Sequence, residues 1–260
     1  MKKYLLVIKI TAQEILQYRF NFLIHVLKYA LSISMMALVW LAVQAETNIE
    51  GLTPESTVRY FFFAAILYGL SNFHTWYVEE DIKQGRLSKY LTKPYNYYLF
   101  GFTNQLTYTA TELIIKLLVM IPLLEFFGFN FTPSLAQIIF FVFYMPLIYV
   151  FSFLTQFTVA SMSFWLKDAY SLRWVSLSIS RFLAGIIIPL NLLPEKFLNF
   201  SFFLPFQHLA YTPIQVIQGN VSLQYASQGM LILSFWIAIA WIIKEKTWQK
   251  GVHSYEAIGI

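Results

Sequence analysis

Long apolar runs, spread along the whole chain of 260 residues, limit its fold more than any other feature. A helix needs about 20 mostly apolar residues to cross the hydrocarbon core of a bilayer. The runs that meet this requirement cover roughly residues 22–44, 58–78, 101–124, 135–166, 174–192 and 224–243. Only 12% of the residues are charged, about half the fraction that soluble domains carry. The sequence therefore predicts an all-α integral membrane protein with six transmembrane helices.

Two segments outside these runs have patterns of their own. Residues 1–21 predict an amphipathic helix lying in the membrane interface, because Leu5, Ile8 and Ala12 share one face. Residues 22–260 are expected to form a single transmembrane domain that ends in a short tail. The stretch of about thirty residues before the last run is interrupted by Pro194, Pro205 and others, so it is not expected to span.

Lysine and arginine lie mostly on one side of the predicted spans. The side that includes both termini carries Lys2, Lys3, Lys9, Arg19, Lys83, Arg86, Lys89, Lys93, Lys167, Arg173, Lys244, Lys246 and Lys250. The opposite loops carry Lys196, with Arg59 at the edge of a span. Cytoplasmic loops of membrane proteins are enriched in these residues. We therefore expect a multi-pass protein of the cell membrane, of the bacterial inner or plasma-membrane type, with both termini in the cytoplasm.

A charged island separates the second and third runs at residues 79–100. Acidic residues come first, basic residues follow, and Leu87, Tyr90 and Leu91 recur among them at helical spacing. This pattern predicts one short amphipathic helix, and Pro94 would end it. Such a helix can lie on a membrane surface or dock into a groove of another protein. A solvated loop between two spans is the alternative interpretation.

No motif for catalysis is visible in the sequence. The chain has no phosphate-binding loop of the GxxxxGK[ST] type, no HExxH and no GxSxG. It contains no cysteine, and its four histidines are scattered. We expect no metal site, no cofactor, no nucleic-acid partner and no enzymatic activity on this chain.

Charged residues within the predicted spans are the usual indicators of function in membrane proteins. Glu112 and Lys116 lie in the third run, spaced so that they can pair along one helix face. They would form either a self-neutralising structural pair or part of a substrate pathway. Arg181 lies about two turns into the fifth run, and its long side chain is expected to extend to the cytoplasmic headgroups.

Three parts of the chain together resemble permease subunits of the ABC-2 class of ATP-binding-cassette transporters. The island resembles the cytoplasmic motif of that family at residues 81–87 and 91–94, with Arg86 where the family more often has a small residue. The proline-punctuated segment, with Leu204-Pro205-Phe206 and Tyr211-Thr212-Pro213, resembles the outer segment of the family. Trp248, Gly251 and residues 255–259 resemble the tail of one branch.

The resemblance implies a type-2 ABC exporter-like fold, with short extracellular re-entrant helices and a cytoplasmic coupling helix. It implies that a cytoplasmic ABC ATPase dimer binds ATP and Mg²⁺ and drives the permease through this coupling helix. The residues assigned to ATPase coupling are Glu80, Asp81, Gly85, Leu87, Leu91, Lys93 and Pro94. Leu87 and Leu91 would be the apolar anchors, and Gly85 would allow close approach to the groove wall. A second permease, identical or related, would complete the path.

Two questions stay open at the level of sequence. The resemblance favours export, but drugs or antibiotics, peptides and lipids all fit as substrates. A non-transport membrane protein, either an assembly or anchoring subunit or a membrane enzyme of unrecognised type, is the alternative function.

Overall fold

The computed structural model describes residues 2–17, 19–47, 53–73, 75–94, 96–126, 132–167 and 169–255. These residues form helices and the turns between them, and they contain no strand. Residues 48–52 of the loop after the first run, Asp168 and tail residues 256–260 lie outside the described part of the chain. The predictions for the loop after the first run and for the end of the tail therefore fall outside the described residues.

Eleven α-helices occupy the described residues. They are α1 Lys2–Gln17, α2 Arg19–Thr47, α3 Pro54–Ser71, α4 Trp76–Lys83, α5 Leu87–Leu91, α6 Tyr97–Phe126, α7 Leu135–Ser161, α8 Ala169–Leu183, α9 Glu195–Ser201, α10 Tyr211–Ile217 and α11 Leu223–His253. Short 3₁₀ turns lie at Met162–Phe164, Leu190–Leu192 and Phe206–Leu209.

Three helical stretches in the described residues are long and apolar enough to cross a membrane. They are Val26–Val43 in α2, Leu135–Phe164 comprising α7 and its 3₁₀ turn, and Leu223–His253, which is α11. The remaining predicted spans correspond to α3, α6 and α8. Of these, α8 has only 15 residues.

Several predicted helix limits were wrong, each for a local reason. The second run does not continue to residue 78, because α3 ends at Ser71 and Asn72 is extended. The fifth run does not continue to residue 192, because the chain leaves α8 at Leu183 and turns at Gly185, whose φ is +79°. A positive φ is readily adopted by glycine alone. The last helix, by contrast, continues ten residues beyond residue 243, to His253.

Side-chain caps fix where three of the long helices begin. The Thr53 and Ser134 hydroxyls accept hydrogen bonds from backbone N–H groups in the first turns of α3 and α7, and both form reciprocal capping boxes. Ser222 accepts from the Tyr225 N–H at the start of α11. A cap of this kind contributes about 1 kcal/mol to helix stability.

The core lies where α3, α7, α10 and α11 meet. Helix α11 packs along α7, and α3 crosses both α6 and α7. Large aromatic and aliphatic side chains fill the space between them, including Phe62, Tyr144, Phe153, Phe157 and Ile214. Because lipid is as apolar as these side chains, close packing and buried hydrogen bonds stabilise the bundle more than hydrophobic transfer does.

Helices α9 and α10 form a compact layer between α8 and α11. The Tyr60 hydroxyl of α3 donates at 2.7 Å to the carbonyl of Gly185, in the turn that leads from α8 to this layer. His208 is buried with one ring nitrogen 2.7 Å from the Phe202 carbonyl. Burial lowers the pKa of His208 to about 4, so its imidazole is neutral at physiological pH. Helices α9 and α10 lie in the proline-punctuated segment, and their identification with the implied re-entrant helices stays a prediction.

Helix α1 runs beside the first three turns of α6. The Asn96 N–H donates to the Tyr4 hydroxyl, and the Thr11 hydroxyl donates to the Asn104 side chain. Leu5 and Ile10 are exposed on the opposite side of α1. Helix α1 therefore has one face fixed to the protein and another available to lipid, and its position in the interface stays a prediction.

Candidate functional site

The charged island folds into two short helices rather than the single predicted one. Helix α4 ends at Lys83, where the Gln84 and Gly85 N–H groups donate to the Glu80 and Ile82 carbonyls. Gly85 has a φ of +70°, a conformation that favours glycine, and α5 follows at once. Gly85 therefore has a visible conformational role, which is to end α4 and redirect the chain.

Asp81 lies at the centre of this segment and binds within the chain. Its carboxylate accepts hydrogen bonds from the Tyr97 hydroxyl at 2.7 Å and from Arg86 Nε at 3.0 Å. Arg86 also pairs with Glu80 at 3.1 Å. Arg86, the departure from the family pattern, thus fastens the turn between α4 and α5 to two acidic residues of α4.

The two leucines predicted as anchors differ sharply in exposure. Leu87 has 0% of its surface exposed, whereas Leu91 is 43% exposed. The expectation that both leucines face a partner is therefore wrong for Leu87, which packs inside the chain. The exposed positions around Leu91 are Lys83, Gln84, Lys89, Thr92, Lys93 and Pro94. They form a rim with three lysines, of which Lys83 pairs with Glu79. We call this surface the α5 rim.

Aromatic packing joins this segment to the long helices. The ring of Tyr97, at the start of α6, stacks on Trp248 of α11 with centroids 5.4 Å apart and planes 7° apart. Trp248 also contacts Phe157 of α7 and Phe164. Tyr97 was not among the residues predicted from the sequence, although a tyrosine just after an acidic motif, at the start of a helix, could have indicated it.

We expect Asp81 and Tyr97 to stabilise the folded chain jointly. Asp81→Ala leaves a buried hydroxyl without its acceptor, so it should lower the unfolding free energy by about 2 kcal/mol. Tyr97→Phe should cost less, and the double variant should cost less than the sum of the two. Denaturant unfolding of all four proteins measures the coupling, and strictly additive losses would contradict it.

Glu112 and Lys116 of α6 form the predicted pair. Lys116 Nζ lies 3.9 Å from Glu112, and Lys116 is only 2% exposed. The ammonium also lies 4.7 Å from the Tyr29 ring centroid and packs against Gly69. Lys116 therefore connects α6 to both α2 and α3, and a methyl group at position 69 would collide with it.

The guanidinium of Arg181 contacts α3, and its predicted extension to the headgroups stays a prediction. Nη2 donates to the Tyr68 hydroxyl and approaches Asn72 Oδ1 at 3.5 Å. The guanidinium carbon lies 4.5 Å from the Tyr68 ring centroid, while Lys116 Nζ lies 6.0 Å from the same ring. Two cations from different helices thus approach one tyrosine, which sequence spacing alone does not reveal.

Comparison with known protein families supplies the decisive observation. Residues 6–259 match the model of the ABC-2 family transporter proteins. The chain belongs to the ABC-2 family. No curated protein matches the chain significantly.

An ABC-2 permease is a membrane component of an ABC transporter and is not itself catalytic. The match covers nearly the whole chain, so the non-transport alternative is set aside. Membership of the family implies association with an ATPase component. In the described part of this permease, no three His, Asp or Glu side chains are grouped to hold a metal ion.

Proposed function

We propose that this permease is the transmembrane subunit of an ABC exporter. It has six spans formed by α2, α3, α6, α7, α8 and α11, with both termini in the cytoplasm. A second permease completes the translocation path, and a cytoplasmic ABC ATPase dimer that binds ATP and Mg²⁺ supplies the energy. The segment from Trp76 to Pro94 is the docking element for that ATPase.

The observation that carries this proposal is the contrast between the two sides of the docking element. Its inner side is fixed by the burial of Leu87 and by the hydrogen bond from Tyr97 to Asp81. Its outer side, the α5 rim, exposes Leu91 and several cations. A surface with one apolar residue among like charges suits a groove that has an apolar floor and acidic walls.

The packing provides a route for motion from the α5 rim to the spans. A partner changes a conformational equilibrium only if it binds the two states with different affinity. An ATPase that shifts α5 would also shift Tyr97, which begins α6 and stacks on Trp248 of α11. Phe157 carries the same contact into α7. A displacement at the rim would thus reach three proposed spans through aromatic contacts.

Charge reversal and polar substitution on the α5 rim test the docking proposal. Leu91→Asp and Lys89→Glu should each lower the amount of phosphate-loop ATPase that co-purifies with the permease by at least tenfold. Both positions are exposed, so folding and membrane insertion should be unchanged. Lys250→Gln, an exposed basic position in α11, is the matched control and should retain the ATPase.

The interpretation of this experiment requires one further variant. Leu87→Asp should unfold the docking element itself, because it places a charge at a fully buried position. Reduced capture by Leu87→Asp alone, with full capture by Leu91→Asp and Lys89→Glu, would contradict docking at the α5 rim.

A further inference from the structure

We propose that α2, α3 and α8 form a binding site for amphipathic acids, molecules with a long apolar body and one acidic group. This inference rests on the proposed exporter function, because it assigns the class of substrate that such a permease would move. The apolar body lies between α2 and α3, and the acidic group binds at Tyr68 and Arg181.

The first part of the site is an apolar cleft between α2 and α3. Its volume is about 430 Å³, within the usual range for small-molecule sites. Met35 and Val39 line it from α2, and Phe61 and Ala65 line it from α3. Methionine adapts its shape to different apolar partners. The cleft therefore suits a flexible hydrocarbon body.

The second part is a small polar cavity on the other side of Ile186, a residue that lines both spaces. This cavity has a volume of about 20 Å³. Ser152 and Gln156 line it and are 4% and 3% exposed. Among the described residues, Ser152 Oγ, Gln156 Oε1 and Arg181 Nε find no hydrogen-bond partner. Ser152 Oγ and Arg181 Nε are donors that a carboxylate can satisfy, whereas Gln156 Oε1 is an acceptor and needs a different partner.

The charge of this region favours an acidic ligand. Glu112 is already paired with Lys116, whereas Arg181 forms no ion pair with any residue that the structure describes. The side chains that its guanidinium contacts, Tyr68 and Asn72, are neutral. Arg181 lies in the last turn of α8, and an unpaired guanidinium inside a membrane protein is unfavourable. A carboxylate in contact with Arg181 would reduce that cost, and a neutral or cationic head would not.

Tyr68 joins the two parts of the site. Its side chain lines the apolar cleft, and its hydroxyl accepts a hydrogen bond from Arg181. No hydrogen bond donated by this hydroxyl is found within the described ranges, so its proton is available to a carboxylate. An acid whose body fills the cleft would thus meet a hydroxyl donor and a guanidinium at the same end.

Fluorescence titration of the purified full-length chain in neutral maltoside micelles tests the site. The probes are 11-(dansylamino)undecanoic acid and its methyl ester, which share one apolar body and differ in charge. The acid should bind at least tenfold more tightly than the ester. Arg181→Gln should remove this preference and leave the affinity for the ester unchanged, whereas Arg181→Lys should keep most of the preference. Ala65→Trp, which fills the cleft, should lower the affinity for both probes.

Arg173→Gln is the matched control, because it removes a buried arginine from the same helix outside both cavities. It should keep the preference for the acid. Equal affinity of the wild-type chain for acid and ester would overturn the proposal, and so would a preference that survives Arg181→Gln. Unchanged binding in Ala65→Trp would show that the probes bind elsewhere.

A second measurement separates a transported acid from a resident acidic lipid. In the complex of this permease with its ATPase, the acid probe should raise ATP turnover at least twofold, and the ester should not. Acid binding without any change in turnover would identify a lipid site and overturn the substrate assignment. If the wild-type permease bound the acid but captured no ATPase, the exporter function would be refuted and the acid site would remain. The two failures are therefore distinguishable.

Discussion

Gly251→Ala should lower the unfolding free energy of the chain by about 2–3 kcal/mol, within the usual range for overpacked sites. A Cβ atom at position 251 would lie 2.0 Å from Cδ2 of Phe164 and within 2.7 Å of two further atoms of that ring. The ring cannot move freely, because it packs against Trp165, Trp248 and Tyr255. The gain in helix propensity, about 1 kcal/mol, only partly offsets this collision.

Thermal unfolding in detergent gives the measurement for Gly251→Ala. Ser234→Ala is the control, since it adds the same residue at an exposed position of α11 and should change stability little. Adding Phe164→Leu to Gly251→Ala should recover part of the loss. Because Trp248 links α11 to Tyr97, the single variant should also reduce ATP turnover in the permease–ATPase complex. A melting temperature equal to that of the wild type would show that this end of α11 is loosely packed.

Lys116→Leu should produce a loss of similar size, about 3 kcal/mol, the lower end for breaking a buried pair. The substitution leaves Glu112 within the bundle without its cation, although Glu112 keeps 27% of its side chain exposed. It also removes the ammonium that approaches Tyr29 and Gly69. The measurements are the yield of monodisperse protein and its thermal midpoint.

The double variant Glu112→Leu, Lys116→Leu decides between the two interpretations of the pair. If the pair only neutralises itself, the double variant should fold better than Lys116→Leu and keep ATP turnover and export. If the pair lines the path, the double variant should fold normally and lose export. A double variant as unstable as Lys116→Leu would contradict self-neutralisation.

The sequence predicted the helical membrane fold and the Glu112–Lys116 pair because both follow from short-range rules. Apolar runs of spanning length predict helices wherever they occur. Positions 112 and 116 are neighbours on any α-helix, so their contact requires no knowledge of the tertiary structure. The match to the ABC-2 family confirms the resemblance that the island, the outer segment and the tail suggested.

Three features depend on contacts between distant residues, so the sequence did not predict them: the burial of Leu87, the partner of Arg181 and the end of α8. Leu87 and Leu91 have the same side chain and similar sequence neighbours, yet only the packing of α4 and α5 buries the first. Arg181 meets Tyr68 across 113 positions of the chain, a contact that no local spacing encodes. The chain turns after α8 at Gly185, which has a positive φ and whose carbonyl accepts a hydrogen bond from the distant Tyr60.

The shortness of α8 has a consequence for the surrounding lipid. Its 15 residues span about 22 Å as an α-helix, whereas the hydrocarbon core is about 30 Å thick. Helix α11, with 31 residues, is long enough to cross with turns to spare. With α8 as one of the six proposed spans, the bilayer would be thinner beside α8 than beside α11, or the layer around Tyr211 would fill the difference. The proposed topology therefore predicts lipid of unequal thickness on the α8 and α11 sides of the permease, unless that layer fills the gap.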